Sequence, residues 1–191
     1  SYSVTGVQTC ALPICWEPLR QLLLRGAPKY GNDIDEVDLL ARDAAGQFID
    51  LMDAARSPLG ARFVVHLFSF LLNIGFGRGL GATPDGRRAG EPIAYSLSAQ
   101  QGRDEKGVTA MPRSLSKLPH RRAAGASAAI VDIDPCVVEG AAGVQRLEHL
   151  LESAVRLGVG QLQVNVVTAE RLAKAQADPE RFGNIPVRVA G

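Results

Sequence analysis

Apolar positions recur at helical spacing twice near the start of the chain. WEPLRQLLLR (16–25) predicts a short amphipathic helix stopped at Gly26. Val37, Leu40, Ala41, Ala44, Phe48, Leu51 and Met52 then hold a helical period to about Ala55, where Ser57-Pro58 ends it. Between the two helices, Pro28 and Gly31-Asn32 make a turn. Asn32 or Asp33 can cap the second helix, and Asp35 and Glu36 sit in its first turn, near the positive end of the helix dipole. Residues 62–76 are rich in aromatic and β-branched side chains and predict a buried strand. Regular patterning returns with AAIVDIDP (128–135), a strand ended by Pro135. A helix is predicted from about Gly143 to Leu157, and QLQVNVV (161–167) alternates as a strand. Thr168 can cap a helix AERLAKAQA that stops before Asp178-Pro179, and IPVRVAG (185–191) reads as a strand running into a glycine.

Two stretches break this pattern. Residues 77–126 are dense in Gly, Pro, Arg, Ser and Asp, and are too long for an idle connection in a compact domain. They predict either disorder or a functional loop system threaded through a larger body. The other stretch is VTGVQTCALPI (4–14), with neither helical nor strand periodicity and no signal-peptide charge pattern. It is the in-frame translation of a common sequencing-adapter oligonucleotide. Residues 1–15 are therefore expected to be a non-native scar.

Composition narrows the function. Lys+Arg 21 against Asp+Glu 20 gives no electrostatic argument for nucleic acid or an anionic membrane. The short basic runs Arg87-Arg88 and His120-Arg121-Arg122 read as solvated loop surface. The most apolar run, 63–77, is too short to span a bilayer and carries His66 and Asn73. With Cys10 and Cys15 assigned to the scar, Cys136 is the one natural cysteine, which fits a reducing, cytoplasmic setting.

Isolated motifs carry little chemistry. GFGRGLGA (75–82) contains G-x-G-x-x-A after the predicted strand, but Thr83-Pro84-Asp85-Gly86 follows as a β-turn, where a dinucleotide site needs a helix to begin. Cys136 has two valines and Glu139 as neighbours, which disfavours a thiolate, so it is expected to be a buried small hydrophobe. His66, His120 and His149 show no metal-like spacing with one another or with Cys136, and no nucleophile–base pair stands out.

An ordered set of segments says more. PKYGND (28–33), GATPDGRRAGEP (81–92), GRDEKG (102–107), SLSKL (114–118), LQVNVV (162–167), DPE (178–180) and VRVAG (187–191) together resemble the C-terminal part of the glycyl radical enzymes. This is the family of pyruvate formate-lyase and glycerol dehydratase, and the resemblance covers residues 27–191. TPDGRRAG and the terminal R-V-A-G are its most specific parts. It implies an α/β fold, the C-terminal part of a ten-stranded α/β barrel, incomplete in this chain. It also implies a division into the end of a catalytic domain (16–98) and a glycine-radical domain (99–191).

The resemblance places the radical on Gly191. A backbone carbon radical gains stability when an amide nitrogen and a carbonyl flank it, and a Cβ would crowd the planar centre; glycine alone lacks one. No cofactor is then bound. A separate activating enzyme, using S-adenosylmethionine and an iron–sulfur cluster, removes the glycine hydrogen. The stored radical passes to a cysteine in an upstream loop, and the resulting thiyl attacks a small-molecule substrate, cleaving a C–C, C–O or C–N bond. A homodimer is implied for the intact enzyme. Cys136 follows the TPDGR segment and does not match the position of that cysteine. PKYGND and the alanine before Gly191 lean toward the dehydratase and lyase branches over formate acetyltransferase. The family continues past this glycine with Tyr and a further strand, so a chain ending at Gly191 is expected to be a truncated fragment, inactive alone. Two other readings stay open: a free-standing protein supplying a fresh glycyl-radical domain, and a non-catalytic α/β binding module built around 75–90.

Overall fold

The computed structural model describes residues 13–69 and 72–182. The expected scar is outside it over residues 1–12, and the expected strand 185–191, with Gly191, is outside it entirely.

The chain opens with helix α1 (Pro13–Gly26) and helix α2 (Asp35–Ala54). Their predicted C-terminal ends hold, but α1 begins at Pro13, three residues before its predicted start and inside the expected scar, and the predicted capping of α2 fails. Ile34 occupies the N-cap of α2 with no side-chain bond. Asn32 is already committed elsewhere, and Asp33 takes a left-handed backbone, φ 54°, that turns it toward other partners.

The predicted strand over 62–76 is corrected. Among the described residues of that run, only β1 (His66–Leu67) is extended and paired, and helix α3 (Leu72–Gly79) follows. Ser69 and Ser96 explain the departure. Each backbone N–H donates to the other's hydroxyl, at 3.1 and 2.8 Å, drawing the chain off the sheet just past Leu67. A short apolar run cannot be assigned to strand or buried helix from its periodicity alone. Gly75, Gly77 and Gly79 therefore lie inside a helix. A Cβ on Gly77 would sit 2.3 Å from the Glu91 carbonyl oxygen, so this glycine permits a close backbone approach.

No regular element occurs from Leu80 to Thr109. Then come helix α4 (Ala110–Ser116), a 3-10 turn (His120–Arg122), β2 (Ala126–Ile133), the short α5 (Pro135–Val138), α6 (Gly140–Arg156), β3 (Gln161–Val166) and α7 (Ala169–Ala177). As predicted, Thr168 caps α7, its hydroxyl accepting from Arg171 N at 3.1 Å. Asp134 caps α5 in the same way, with Pro135 at the first helical position.

The sheet is parallel, in the order β1-β2-β3. Ala128 through Ile133 pair with Gln161 through Val166, and α5 and α6 make the crossover that parallel pairing requires. β2 is central and buried at all but its first residue and Asp132, the near-continuous burial expected when a parallel sheet is covered on both faces. One core joins Met111, Leu115, Leu118, Ala129 and Val131, with Tyr30 and Ala41 against it; a second joins Ile49, Val65 and Ala123. Both cores connect α2 and its flanks to the C-terminal half. Among the described residues, no helix is long and apolar enough to cross a membrane.

Candidate functional site

Four of the segments that carry the family resemblance, PKYGND, GATPDGRRAGEP, GRDEKG and SLSKL, meet around α1, α2 and α4. PKYGND forms a tight loop whose Gly31 has φ +94°; a Cβ there would lie 2.7 Å from the Ala99 Cβ. Asn32 is buried and staples two distant backbone sites. Its Nδ2 donates to Arg103 O at 2.6 Å, and its Oδ1 accepts from Lys106 N at 2.9 Å. PKYGND thus fixes GRDEKG, the third segment of the set.

A polar cluster joins the same loop to SLSKL. Asp38 on α2 is fully buried and accepts from Ser114 Oγ at 2.9 Å and Lys117 Nζ at 2.8 Å. Lys117 also reaches Asp33 at 3.0 Å and Asp35 at 2.7 Å. Burial opposes the charge on Lys117, but the carboxylates of Asp35, Asp38 and Asp33 outweigh it and hold its ammonium above the usual lysine range. Tyr30 lies nearby, and burial together with the Asp38 charge pushes its phenol well up. Sequence reading missed this cluster. Its only trace was the i, i+3 spacing of Ser114 and Lys117, which puts both on one side of a short helix.

TPDGRRAG is held as rigidly. Thr83 and Gly86 close a turn through Gly86 N to Thr83 O at 3.1 Å, and Thr83 Oγ1 donates to Asp85 Oδ1. The Arg87 guanidinium is buried and donates to Glu91 O and Gly81 O, both at 2.5 Å. From α1, Arg20 donates to Gly86 O, while Lys29 reaches Asp85 O and Leu23 O. Of the range 77–126 predicted as disorder or a loop system, residues 80–109 form an irregular stretch pinned by buried polar groups, while α4 and a 3-10 turn, which the sequence reading did not predict, follow it.

Cys136 is a correction. It is exposed, not buried, because the short α5 buries none of its four residues. The expected lack of thiolate character has support: the hydrogen bond to Asp134 and the charges of Asp134 and Glu139 push the thiol up. His66, His120 and His149 stay on separate elements. His120 lies buried between Ser127 Oγ and Leu115 O, whereas His149 is an exposed residue of α6. No group of three or more His, Cys, Asp or Glu among the described residues could hold a metal ion. These residues therefore supply a locked scaffold, with the predicted radical site Gly191 beyond their end.

Comparison with known proteins gives two family matches. The family described as "Glycine radical" matches residues 93–191, and "Pyruvate formate lyase-like" matches residues 6–77. The chain is 36% identical over 182 residues to the probable dehydratase YbiW of Escherichia coli, covering 92% of this chain and 22% of that protein. It is 35% identical over 173 residues to the isethionate sulfite-lyase of Nitratidesulfovibrio vulgaris, covering 90% and 21%. The solved B12-independent glycerol dehydratase of Clostridium butyricum, in its glycerol-bound form, superposes with TM-score 0.83 at 37% identity over 91% of this chain and 22% of that one. The chain thus spans about a fifth of the length of the relatives it matches.

Proposed function

The chain belongs to the glycyl radical enzymes, and on that premise we propose that Gly191 stores the radical of an enzyme whose C-terminal part this segment forms. The observation that carries the reading is the glycine-radical match, which runs through R-V-A-G to Gly191. A separate activating enzyme removes one Cα hydrogen atom from Gly191. The unpaired electron left there is shared with the flanking amide nitrogen and carbonyl. It is passed to a cysteine thiol, whose hydrogen atom returns to the glycine carbon, and the thiyl opens the substrate. Cys136 is not that thiol in this proposal. It is exposed, and Asp134 and Glu139 crowd it with negative charge. The receiving cysteine lies outside these 191 residues, so the chain assayed alone turns over no substrate.

The substrate is a small polar molecule of the dehydratase or lyase type. Support comes from the alanine before Gly191 and from the names of relatives such as the probable dehydratase YbiW and isethionate sulfite-lyase. A cytoplasmic setting and a homodimeric intact enzyme belong to the same proposal.

The test is electron paramagnetic resonance on an intact enzyme carrying this segment, after anaerobic incubation with its activating enzyme and S-adenosylmethionine. The expected spectrum is a doublet, split by the one hydrogen left on the glycine Cα, and absent in Gly191→Ala. A doublet that survives Gly191→Ala would overturn the assignment.

A further inference from the structure

We infer that one buried water joins the Tyr30 hydroxyl to Asp38 and ties the PKYGND loop to α2 from inside. Asp38 is fully buried, and its carboxylate is used unevenly. Oδ2 accepts from Ser114 Oγ at 2.9 Å and from Lys117 Nζ at 2.8 Å. Oδ1 is sealed from solvent and accepts from no group among the described residues. The Tyr30 hydroxyl is in the same position, sealed and without a partner among the described residues. The two oxygens share a neighbourhood. Tyr30 packs against the core of Met111 and Leu115, and so does Ala41, one turn of α2 beyond Asp38. The Asp38 charge also acts on the Tyr30 phenol.

A hydroxyl and a carboxylate oxygen left dry are both costly, because each forfeits the bonds it makes in water. They do not relieve one another, since the two oxygens do not bond directly. Each lacks what a water supplies. Burial and the Asp38 charge keep the phenol protonated, so its O–H needs an acceptor. Asp38 Oδ1 needs a donor. A water accepts from the phenol through a lone pair and donates one O–H to Oδ1. Such a bridge holds nearly as well as a direct bond.

Other occupants fit less well. A hard cation takes several oxygen ligands, and no group of three or more His, Cys, Asp or Glu among the described residues could hold a metal ion. Another part of a longer chain does not reach either oxygen, because both are already closed off from the surface. With the water in place, a polar chain runs from Lys117 through Asp38 to Tyr30. Asn32, two residues on, fixes the same loop to Arg103 O and Lys106 N. PKYGND is then anchored on both sides, to GRDEKG by Asn32 and to α2 and SLSKL by Tyr30.

The test is a crystal structure of an intact enzyme carrying this segment, at a resolution that orders internal waters, beside the same structure of Tyr30→Phe. The phenylalanine ring fills the space of the tyrosine ring and removes only the hydroxyl, so the variant is expected to fold. The expected wild-type result is one isolated density peak about 2.7–2.9 Å from both Tyr30 Oη and Asp38 Oδ1. In Tyr30→Phe that peak is expected to be lost. Three wild-type outcomes overturn the inference: a direct bond between the two oxygens, a protein group bonded to either of them, or no peak between two well-ordered side chains. A peak of equal occupancy in both proteins overturns it as well, because the water would then belong to Asp38 alone. The radical assignment to Gly191 plays no part in this test, so either reading can fail without the other.

Discussion

His120 is a buried base whose environment fixes its protonation state. Its Nε2 bonds Leu115 O at 2.7 Å and its Nδ1 meets the Ser127 hydroxyl. A ring donating to the carbonyl and accepting from the hydroxyl satisfies both bonds while neutral. Burial pushes its pKa below the ordinary 6.5, and the carbonyl of Leu115 opposes that only in part. In the unfolded chain the ring takes a proton as pH falls through about 6.5, whereas in the folded chain it resists until lower pH. Below that value the unfolded state binds more protons, so folding stability falls as pH drops and is regained as pH rises. Urea denaturation midpoints measured from about pH 8 to about pH 5.5 should show this slope, and His120→Gln should flatten it. A stability that increases toward acid through the same residue would refute the assignment. Sequence gave little warning of this role, because His120 sits in a basic tripeptide that reads as surface. Only the chain return that brings Ser127 of β2 against the 3-10 turn buries it.

The turn at 83–86 shows how one element depends on another. Gly86 has φ +98°, and a Cβ there would sit 2.7 Å from the Leu24 Cγ and 3.1 Å from the Arg20 carbonyl oxygen, both on α1. Gly90 shares the left-handed backbone, φ +82°, but has open space around it. The two positions separate backbone strain from collision. Gly90→Ala should cost only the conformational penalty, about 1 kcal/mol, and Gly86→Ala should cost about 2–3 kcal/mol because α1 must also shift. Chemical denaturation of both variants checks the difference, and equal losses would mean that α1 does not press on the turn. The turn itself was legible, since Pro-Asp-Gly after Thr83 is a turn sequence. So were α2, α6, β2, β3 and α7, where apolar period and stop signals agreed and, in α7, the cap as well. What was not legible depends on contacts made far along the chain. The Ser69–Ser96 exchange ended β1 early, and the reach of Asn32 to Arg103 and Lys106 left α2 without its expected cap. Cys136 failed for a local reason: α5 is a single short turn that buries none of its residues.

At the scale of the whole molecule, the pyruvate formate lyase-like and glycine-radical segments are joined by a seam with acidic groups on one side and basic groups on the other. Asp33, Asp35, Asp38, Asp50 and Asp53 face Arg113, Lys117 and Arg122. These pairs differ in worth. Arg122 is 44% exposed, with Asp50 and Asp53 more so, and solvent screens such pairs; Arg122→Ala should leave the denaturation midpoint nearly unchanged. Lys117→Ala leaves Asp38, 0% exposed, with only the Ser114 hydroxyl as donor, and an unpaired buried charge costs about 3–5 kcal/mol. The two apolar cores also straddle the seam, with Tyr30, Ala41 and Ile49 on one side and Met111, Leu115 and Ala123 on the other. Neither segment keeps a complete core without its neighbour, so both should unfold together. The single tryptophan, Trp16, reports on α1, while far-UV circular dichroism reports on every helix and strand. In a urea titration the two signals should share one midpoint, and Lys117→Ala should lower it equally for both. Two separated midpoints, or a Lys117→Ala shift confined to one signal, would mean that the segments fold independently and that the seam merely brings together two finished bodies.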